Sequence, residues 1–534
     1  MPLLSTFSNA YGYPLLIKHL LTRSNIASAN QEIVSGTEMR LCYADFGKRV
    51  HQLANSLKLS GIREGMRVGV MDWDTHRYLE CFFAIPMMGA TLFTINVRLS
   101  PTQILYTINH GQPDLIIVHR DFMPLIDDIK PAFDRDIIIV PIGDGEGYED
   151  WIGAAQGSFD FPDFDENQTA TLFYTTGTTG NPKGVSYSHR QLVLHTLGLI
   201  AGFGAWPGNA GFHRSDVYMP LTPLFHVHGW GFPYAATMLG VRQVYPGRYD
   251  PEKILGLIAD ENVTFSHCVP TVLSMVLDHV NCPQTDLHRW KVIIGGAALP
   301  RNLQNRAAAE GISLHAAYGM SETCPFLTVA DLSSDDPEVQ AQTGFPGPLV
   351  DLRVVTPDMQ EVPHDGETTG EVVARAPWLT QGYLNNSQAS DDLWDGGYLH
   401  TGDVGYIRDN GSLQITDRLK DVIKTGGEWI SSLILENIAS SCCGVEEVAA
   451  IGLPHAKWGE RPVLVVQIRE NIEQDLVRSS VMKEIQTRID VGEISKWAIP
   501  DELIFVDRIP KTSVGKLDKK LLRQDISTRL DLKS

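Results

Sequence analysis

Three things are scarce in this 534-residue chain, and each scarcity excludes something. Cysteine is the first: seven residues, no Cys-x-x-Cys pair, and Cys442 directly beside Cys443. A disulfide scaffold is excluded, and a reducing, cytoplasmic setting with mostly structural thiols is expected. Positive charge is the second. Lys plus Arg number 44 against 64 Asp plus Glu, a formal net charge of −20. Such a surface repels nucleic acid and anionic lipid, yet a local nest of backbone N–H groups or a lysine can still hold an anionic ligand. Long apolar runs are the third. No uninterrupted stretch reaches the ~18 residues of a spanning helix, so no transmembrane segment is expected. The first basic side chain is Lys18 and no short apolar core follows a basic start, so no signal peptide is read. The ending Asp531-Leu532-Lys533-Ser534 is not a peroxisomal address.

What is present suits a large soluble enzyme-sized core: 43% hydrophobic residues and 20% charged. At roughly 150 residues per domain the length suggests about three to four packing units. Helical spacing runs through Phe46, Val50, Leu53 and Leu57, and an apolar helix is expected over Tyr78 to Met88. Short β-branched runs at 68–71, 91–95, 115–118 and 137–140 read as buried strands. Strands separated by helices argue for parallel βαβ units, and similar runs recur at 217–219, 243–245, 263–266 and 292–296. Between Leu352 and Val373 the strands shorten and turns crowd in. Past Asp421 a smaller α+β unit is expected, with helices over 434–441 and 475–488 and strands over 445–452, 463–468 and 502–506. The expected fold is therefore a large α/β N-terminal region with mixed sheets, residues 1–417, followed by a small α+β domain at 421–534.

The strongest local signal is Thr171 to Val185, where a β-rich run enters a loop with Thr175, Thr176, Gly177, Thr178, Thr179, Gly180 and Lys183. Glycines let backbone approach an anion, consecutive N–H groups form an anion nest, and Lys183 adds a mobile charge. Polyphosphate is the natural ligand. The loop is not a Walker A loop, because Asn181-Pro182 separates the last glycine from the lysine. Tyr318-Gly319-Met320-Ser321-Glu322-Thr323 offers an aromatic face for a base and a carboxylate for a hard divalent cation. Asp403, in Thr401-Gly402-Asp403, can accept from paired hydroxyls as on a ribose, and Arg418 can donate to the same sugar. Gly295-Gly296-Ala297-Ala298 leaves room for a flat ring beside backbone.

These segments, in this order, resemble the adenylate-forming superfamily of acyl-CoA synthetases, firefly-type luciferases and nonribosomal adenylation domains. The usual family loop carries Ser where this chain has Thr176. The resemblance covers about residues 40–525. It implies that Tyr318 and Gly319 lie at the adenine, Thr323 near the α-phosphate, and Glu322 and Thr176 at Mg²⁺ and the reacting groups. Leu224-Phe225-His226-Val227-His228-Gly229-Trp230 is similar to the family's aromatic motif beside the acid. It implies an acyl pocket at His226, Trp230, Gly295 and Gly296, with His226 near the reacting carboxylate. For His228, in the same motif, a satisfied core histidine is the alternative reading. Pro510 to Lys516 matches the family's terminal Gly-Lys ending, so Lys516 is the expected catalytic lysine, whereas Lys511 and Lys519 read as solvated. Lys420 matches the hinge position, which implies a hinge at 418–420 and a mobile C-terminal domain at 421–534. Lys424, Gly426, Gly427 and Glu428 match the loop that enters the site for thioester formation.

The implied activity is ATP-dependent joining of a small carboxylic acid to CoA, with ATP, Mg²⁺ and CoA as cofactors. An acyl-adenylate forms first with loss of pyrophosphate; CoA then displaces AMP. The stretch 423–437 and Pro454 to Pro462 resemble a bacterial subgroup of medium-chain fatty-acyl-CoA and methylmercaptopropionate-CoA ligases. A stand-alone adenylating enzyme serving a carrier protein or another nucleophile stays open. So does the oligomeric state, with a homodimer common among relatives.

Overall fold

Short β-branched runs buried on both faces favour parallel strands covered by helices, and the chain builds two such layers. The computed structural model describes residues 7–531 apart from 38, 144–146, 176–180, 209, 427, 470–471 and 513–515. One six-stranded sheet joins Ile138–Ile142, Leu115–His119, Arg67–Met71, Thr91–Thr94, Thr169–Thr175 and Lys183–Ser188 in that spatial order. All neighbours are parallel except the last pair, an antiparallel hairpin. A second sheet of nine strands has a parallel centre: Ser313–Gly319, Lys291–Ile294, Phe265–Cys268, Val217–Pro220, Arg242–Tyr245 and Glu32–Ser35. The helix Tyr43–Leu59 buries the expected Phe46, Val50, Leu53 and Leu57.

The run expected as a strand over 263–266 begins two residues later, at Phe265–Cys268. The apolar segment that leads to Leu239 is broken by a left-handed turn. Val227 to Gly231 all take positive φ, and Phe232–Leu239 is helical only after that turn. Helix His189–Gly204 carries a capping box between Ser188 and Gln191.

The crowded turns after Leu352 form a four-stranded antiparallel sheet, Asp351–Val355, Gly370–Arg375, Leu399–Ile407 and Leu413–Arg418. Beyond it lies a five-stranded sheet, with helices Ser432–Ser440, Gln474–Asp490 and Lys519–Asp531. Its apolar groups pack among themselves, Ile423, Leu435, Leu464 and Val481 in one cluster and Ile451, Val465, Leu522 and Ile526 in another. The junction is tied by polar contacts. Asp417 accepts from the Ser432 N–H and hydroxyl, and the Ser431 hydroxyl donates to the Thr416 carbonyl; within the small unit Arg523 pairs with Asp421 at 2.7 Å and Lys519 with Glu436 at 2.7 Å. Lys519 is therefore not a solvated lysine. Its ammonium is almost buried and also donates to Ser432. Lys511 sits at the rim, paired with Glu447 at 3.1 Å.

Candidate active site

Ligands of open parallel sheets gather beyond the carboxyl ends of the strands, and the cleft here lies at that edge. Strand Lys291–Ile294 ends at Gly295-Gly296, strand Ser313–Gly319 ends in the turn carrying Glu322, and strand Val217–Pro220 leads to His226 and Trp230. The cavity these loops enclose is about 2660 Å³ and is also lined by Asp403, Arg418, Lys420 and Lys516.

Asp403 and Arg418 face each other because they are cross-strand partners in the antiparallel sheet. Their side chains stand 3.5 Å apart, and the Tyr318 hydroxyl donates to Asp403 at 2.7 Å. Burial raises the Asp403 pKa, while Arg418 and Tyr318 oppose the shift. Glu322 is buried at the cavity wall and accepts from the Tyr383 hydroxyl at 2.7 Å. Burial raises its pKa too, against Tyr383, Lys183 and Lys516. Lys183 opens the outer strand of the six-stranded sheet, with its ammonium 4.4 Å from the centre of the Tyr383 ring. Tyr383 thus links the lysine of the Thr-rich loop to Glu322. Tyr187, on the same strand as Lys183, donates to the Ser321 carbonyl at 2.7 Å and fixes the turn. Neither tyrosine carries a sequence signal; only their pairing reveals them.

Lys516 reaches this group from the last sheet. A Cβ built on Gly296 would stand 3.3 Å from Lys516 Cε, and Gly296 has φ +78°, so glycine serves both the backbone and the approach. Burial lowers the Lys516 pKa to about 8, with Arg418 adding to the drop and Asp403 and Glu322 opposing it. Thr323 is fully buried, and its hydroxyl closes the local turn with Met320 and the Pro325 carbonyl. Ala297 and Gly319 line the cavity. Among the described residues no three His, Cys, Asp or Glu side chains converge on a metal. One buried carboxylate suits a cation that takes most of its oxygens from phosphates and water, which is how Mg²⁺ is usually bound. The donor set fits Mg²⁺ in that sense.

At the other end the wall is apolar: Leu199, Phe203, Val227, Trp230, Phe232 and Phe326. A Cβ on Gly295 would meet Trp230 Cη2 at 3.0 Å, so the indole lies flush against that backbone. His226 lines the cavity between the two ends; burial lowers its pKa to about 3, aided by Lys516 and Arg98. Its loop is pinned from the first sheet. Asp74 accepts from the Leu224 N–H at 2.9 Å, and Thr94 donates to the Phe225 carbonyl at 2.9 Å. His228 points away, with Nε2 2.8 Å from the Thr171 hydroxyl in the core, which is the core-histidine reading.

Not every expected residue comes together. Lys424 and Glu428 are exposed, Gly426 packs against Trp497, and none of the three lines the cavity. Thr176, Gly177, Thr178, Thr179, Gly180 and Gly427 lie outside the described residues.

A divided cleft, charged at one end and aromatic at the other, with a lysine brought in from a separate unit, defines a nucleotide-using acid-activating class of protein. The sequence matches the AMP-binding enzyme family over residues 23–384 and the AMP-binding enzyme C-terminal domain over residues 435–516. The chain belongs to that family, on its acyl-CoA synthetase branch. It is 36% identical to a long-chain-fatty-acid–CoA ligase of Thermus thermophilus, over 94% of each chain. It is 34% identical to a 3-methylmercaptopropionyl-CoA ligase of Ruegeria lacuscaerulensis, over 97% of this chain and 98% of that one. Among solved structures, an anthranilate CoA ligase with anthranoyl-AMP superposes with a TM-score of 0.87 at 24% identity, covering 96% of this chain and 98% of that one. ATP-bound MatB from Rhodopseudomonas palustris gives 0.84 at 25% identity, covering 96% and 99%.

Proposed function

We propose that this enzyme is an ATP-dependent acid–CoA ligase that activates a short- to medium-chain carboxylic acid as its adenylate and then passes the acyl group to CoA. The observation that carries this reading is the meeting of Lys516, Glu322 and Asp403 in one cleft whose far end is apolar. Asp403, with Tyr318 and Arg418 beside it, holds the ribose, and Tyr318, Gly319, Gly296 and Ala297 bound the adenine space. Glu322 and Thr176 hold Mg²⁺, which when bound neutralises phosphate charge. The Thr-rich loop 176–180 and Lys183 hold the outer phosphates. The acid is already ionised near neutral pH, so no protein base is needed. Two anions must meet, and Lys516 stands where it offsets the charge of both. His226, neutral from burial, borders the carboxylate without adding charge.

The second half-reaction needs a thiol at the acyl carbon, and Lys516 then occupies useful space. We assign residues 418–420 as the hinge between a 1–417 unit and a 421–534 unit. Rotation there withdraws Lys516 and brings in Lys424, Gly426, Gly427 and Glu428. Lys420→Pro should slow the full cycle at least tenfold while pyrophosphate exchange changes little; equal rates in the full cycle would remove the hinge. Seven unpaired thiols support a reducing compartment such as the cytoplasm as the place of action.

The deciding experiment incubates the enzyme with ATP, Mg²⁺, CoA and acids from acetate to decanoate, with methylthiopropionate, branched and aromatic acids added. Mass spectrometry follows AMP and acyl-CoA. One AMP per acyl-CoA is expected. AMP or acyl-AMP without acyl-CoA would instead assign the adenylate to a carrier protein or another nucleophile.

A further inference from the structure

Behind the apolar end of the cleft lies a polar cluster that neither half-reaction uses. His267, on strand Phe265–Cys268, is fully buried. Its ring stacks on Trp230, with centroids 5.1 Å apart at 29°, and on Phe232, at 4.8 Å and 18°. Both nitrogens have partners: Nε2 lies 2.8 Å from the Tyr218 hydroxyl and Nδ1 3.1 Å from Thr222 Oγ1. The Thr222 hydroxyl donates to the His267 carbonyl at 3.4 Å, so Oγ1 is left to accept from Nδ1–H. Tyr218 then donates to Nε2. These partners assign one neutral tautomer. Burial holds the ring neutral, with its pKa lowered to about 3.

A phenylalanine would fill the same space without two buried nitrogens to satisfy. What the histidine adds is a fixed plane. Backbone, Tyr218 and Thr222 hold the ring at three points, whereas a phenyl ring would be held by packing alone. Trp230 needs such a support. Its own backbone is left-handed (φ +59°), as are its neighbours Val227 (φ +47°) and His228 (φ +56°). Non-glycine residues, and β-branched Val most of all, disfavour that region, so the surroundings hold the turn rather than its own preference. The indole is confined between the Gly295 backbone on one side and the His267 ring on another.

We propose that His267 is a specificity-determining positioning residue: clamped by Tyr218 and Thr222, it is the plate against which Trp230 rests, and it sets how deep an acyl chain can enter. The inference rests on the acyl-pocket reading of the cleft. Without the plate the indole can fall back toward the strand, and longer acids gain room.

The test measures ATP–pyrophosphate exchange with butyrate, hexanoate, octanoate and decanoate. Wild-type exchange with none of these acids would remove the short- to medium-chain reading of the acid pocket, before His267 is at issue. Given wild-type exchange, His267→Ala should raise the decanoate-to-butyrate ratio of kcat/KM about tenfold, as expected for a few additional buried methylenes. The change should appear in KM for the acid, with KM for ATP unmoved. His267→Phe keeps an aromatic plate and should restore much of the wild-type ratio. A purely structural role would lower exchange with every acid by the same factor and leave the ratio alone, and that result overturns the proposal. Should His267→Ala not fold, the double variant Tyr218→Phe with Thr222→Val removes the clamp and keeps both rings. A two- to threefold shift of the ratio in the same direction supports the plate; no shift in that folded variant overturns it.

Discussion

At one end of the cleft, Glu322, Asp403 and Arg418 are held by named polar partners beside Lys516; at the other, Trp230, Phe232, Phe203 and Phe326 are held by ring against ring. The first end handles charge, so each group must stand at a fixed address and a short motif can encode it. The second end handles shape, which is a property of many side chains drawn from distant strands. Its depth depends on Gly295, on the turn at 227–231 and on His267, which no single motif contains.

The largest break in this contrast comes from Lys516→Ala. Pyrophosphate exchange should fall about 10²–10³-fold, the scale of losing one preorganised charge partner, while CoA transfer from preformed acyl-AMP stays within a few-fold. Equal losses in both half-reactions would move the lysine out of adenylation. Glu322→Gln keeps an acceptor for Tyr383 but loses the charge. Exchange should drop about 10²-fold and the Mg²⁺ dependence should shift to higher concentration; an unchanged Mg²⁺ titration would free Glu322 from that role.

The pH profile sharpens the charged end alone. In the proposed role Lys516 acts as the ammonium, and burial lowers its pKa to about 8. In the free enzyme kcat/KM for exchange should therefore decline above about pH 8, approaching tenfold per pH unit. Stability runs the other way. The folded pKa lies below the unfolded 10.5, so between about pH 8 and 10.5 the unfolded chain binds more protons and this residue's contribution to stability rises with pH. A profile flat to pH 10 in the wild type would contradict the assignment. The smallest effect belongs to the shape end. Gly295→Ala puts a methyl 3.0 Å from Trp230 Cη2 and 3.1 Å from the Ala317 carbonyl. The indole must shift, and kcat/KM should change by about threefold or more for the longest acid and less for the shortest. Identical factors for all acids would show that Trp230 does not limit depth.

The same contrast explains what could be read from sequence. The strands at 68–71, 115–118 and 217–219 were legible because short apolar runs between helical stretches leave few alternatives, and Asp403, Glu322 and Lys516 stood out through the residues beside them. The broken helix at 227–231 was not, because left-handed backbone at Val227 is imposed from outside by packing. Lys519 looked like one more solvated cation beside Lys516, but its partners Glu436 and Ser432 lie more than 80 residues away, and only folding joins them. Tyr383, Tyr187, Asp74 and His267 were invisible for the same reason: each works through a partner on another element.

The junction contacts have a mechanical consequence. Helix Lys519–Asp531 begins three residues after Lys516 and is bolted to Glu436 by Lys519 and to Asp421 by Arg523. Lys516 thus stands at the tip of a short boom whose base is tied to Glu436 and Asp421. If the proposed hinge at 418–420 turns, the boom would turn with it, and a change of a few torsion angles near Lys420 would be amplified into a full stroke at the ammonium without breaking either ion pair.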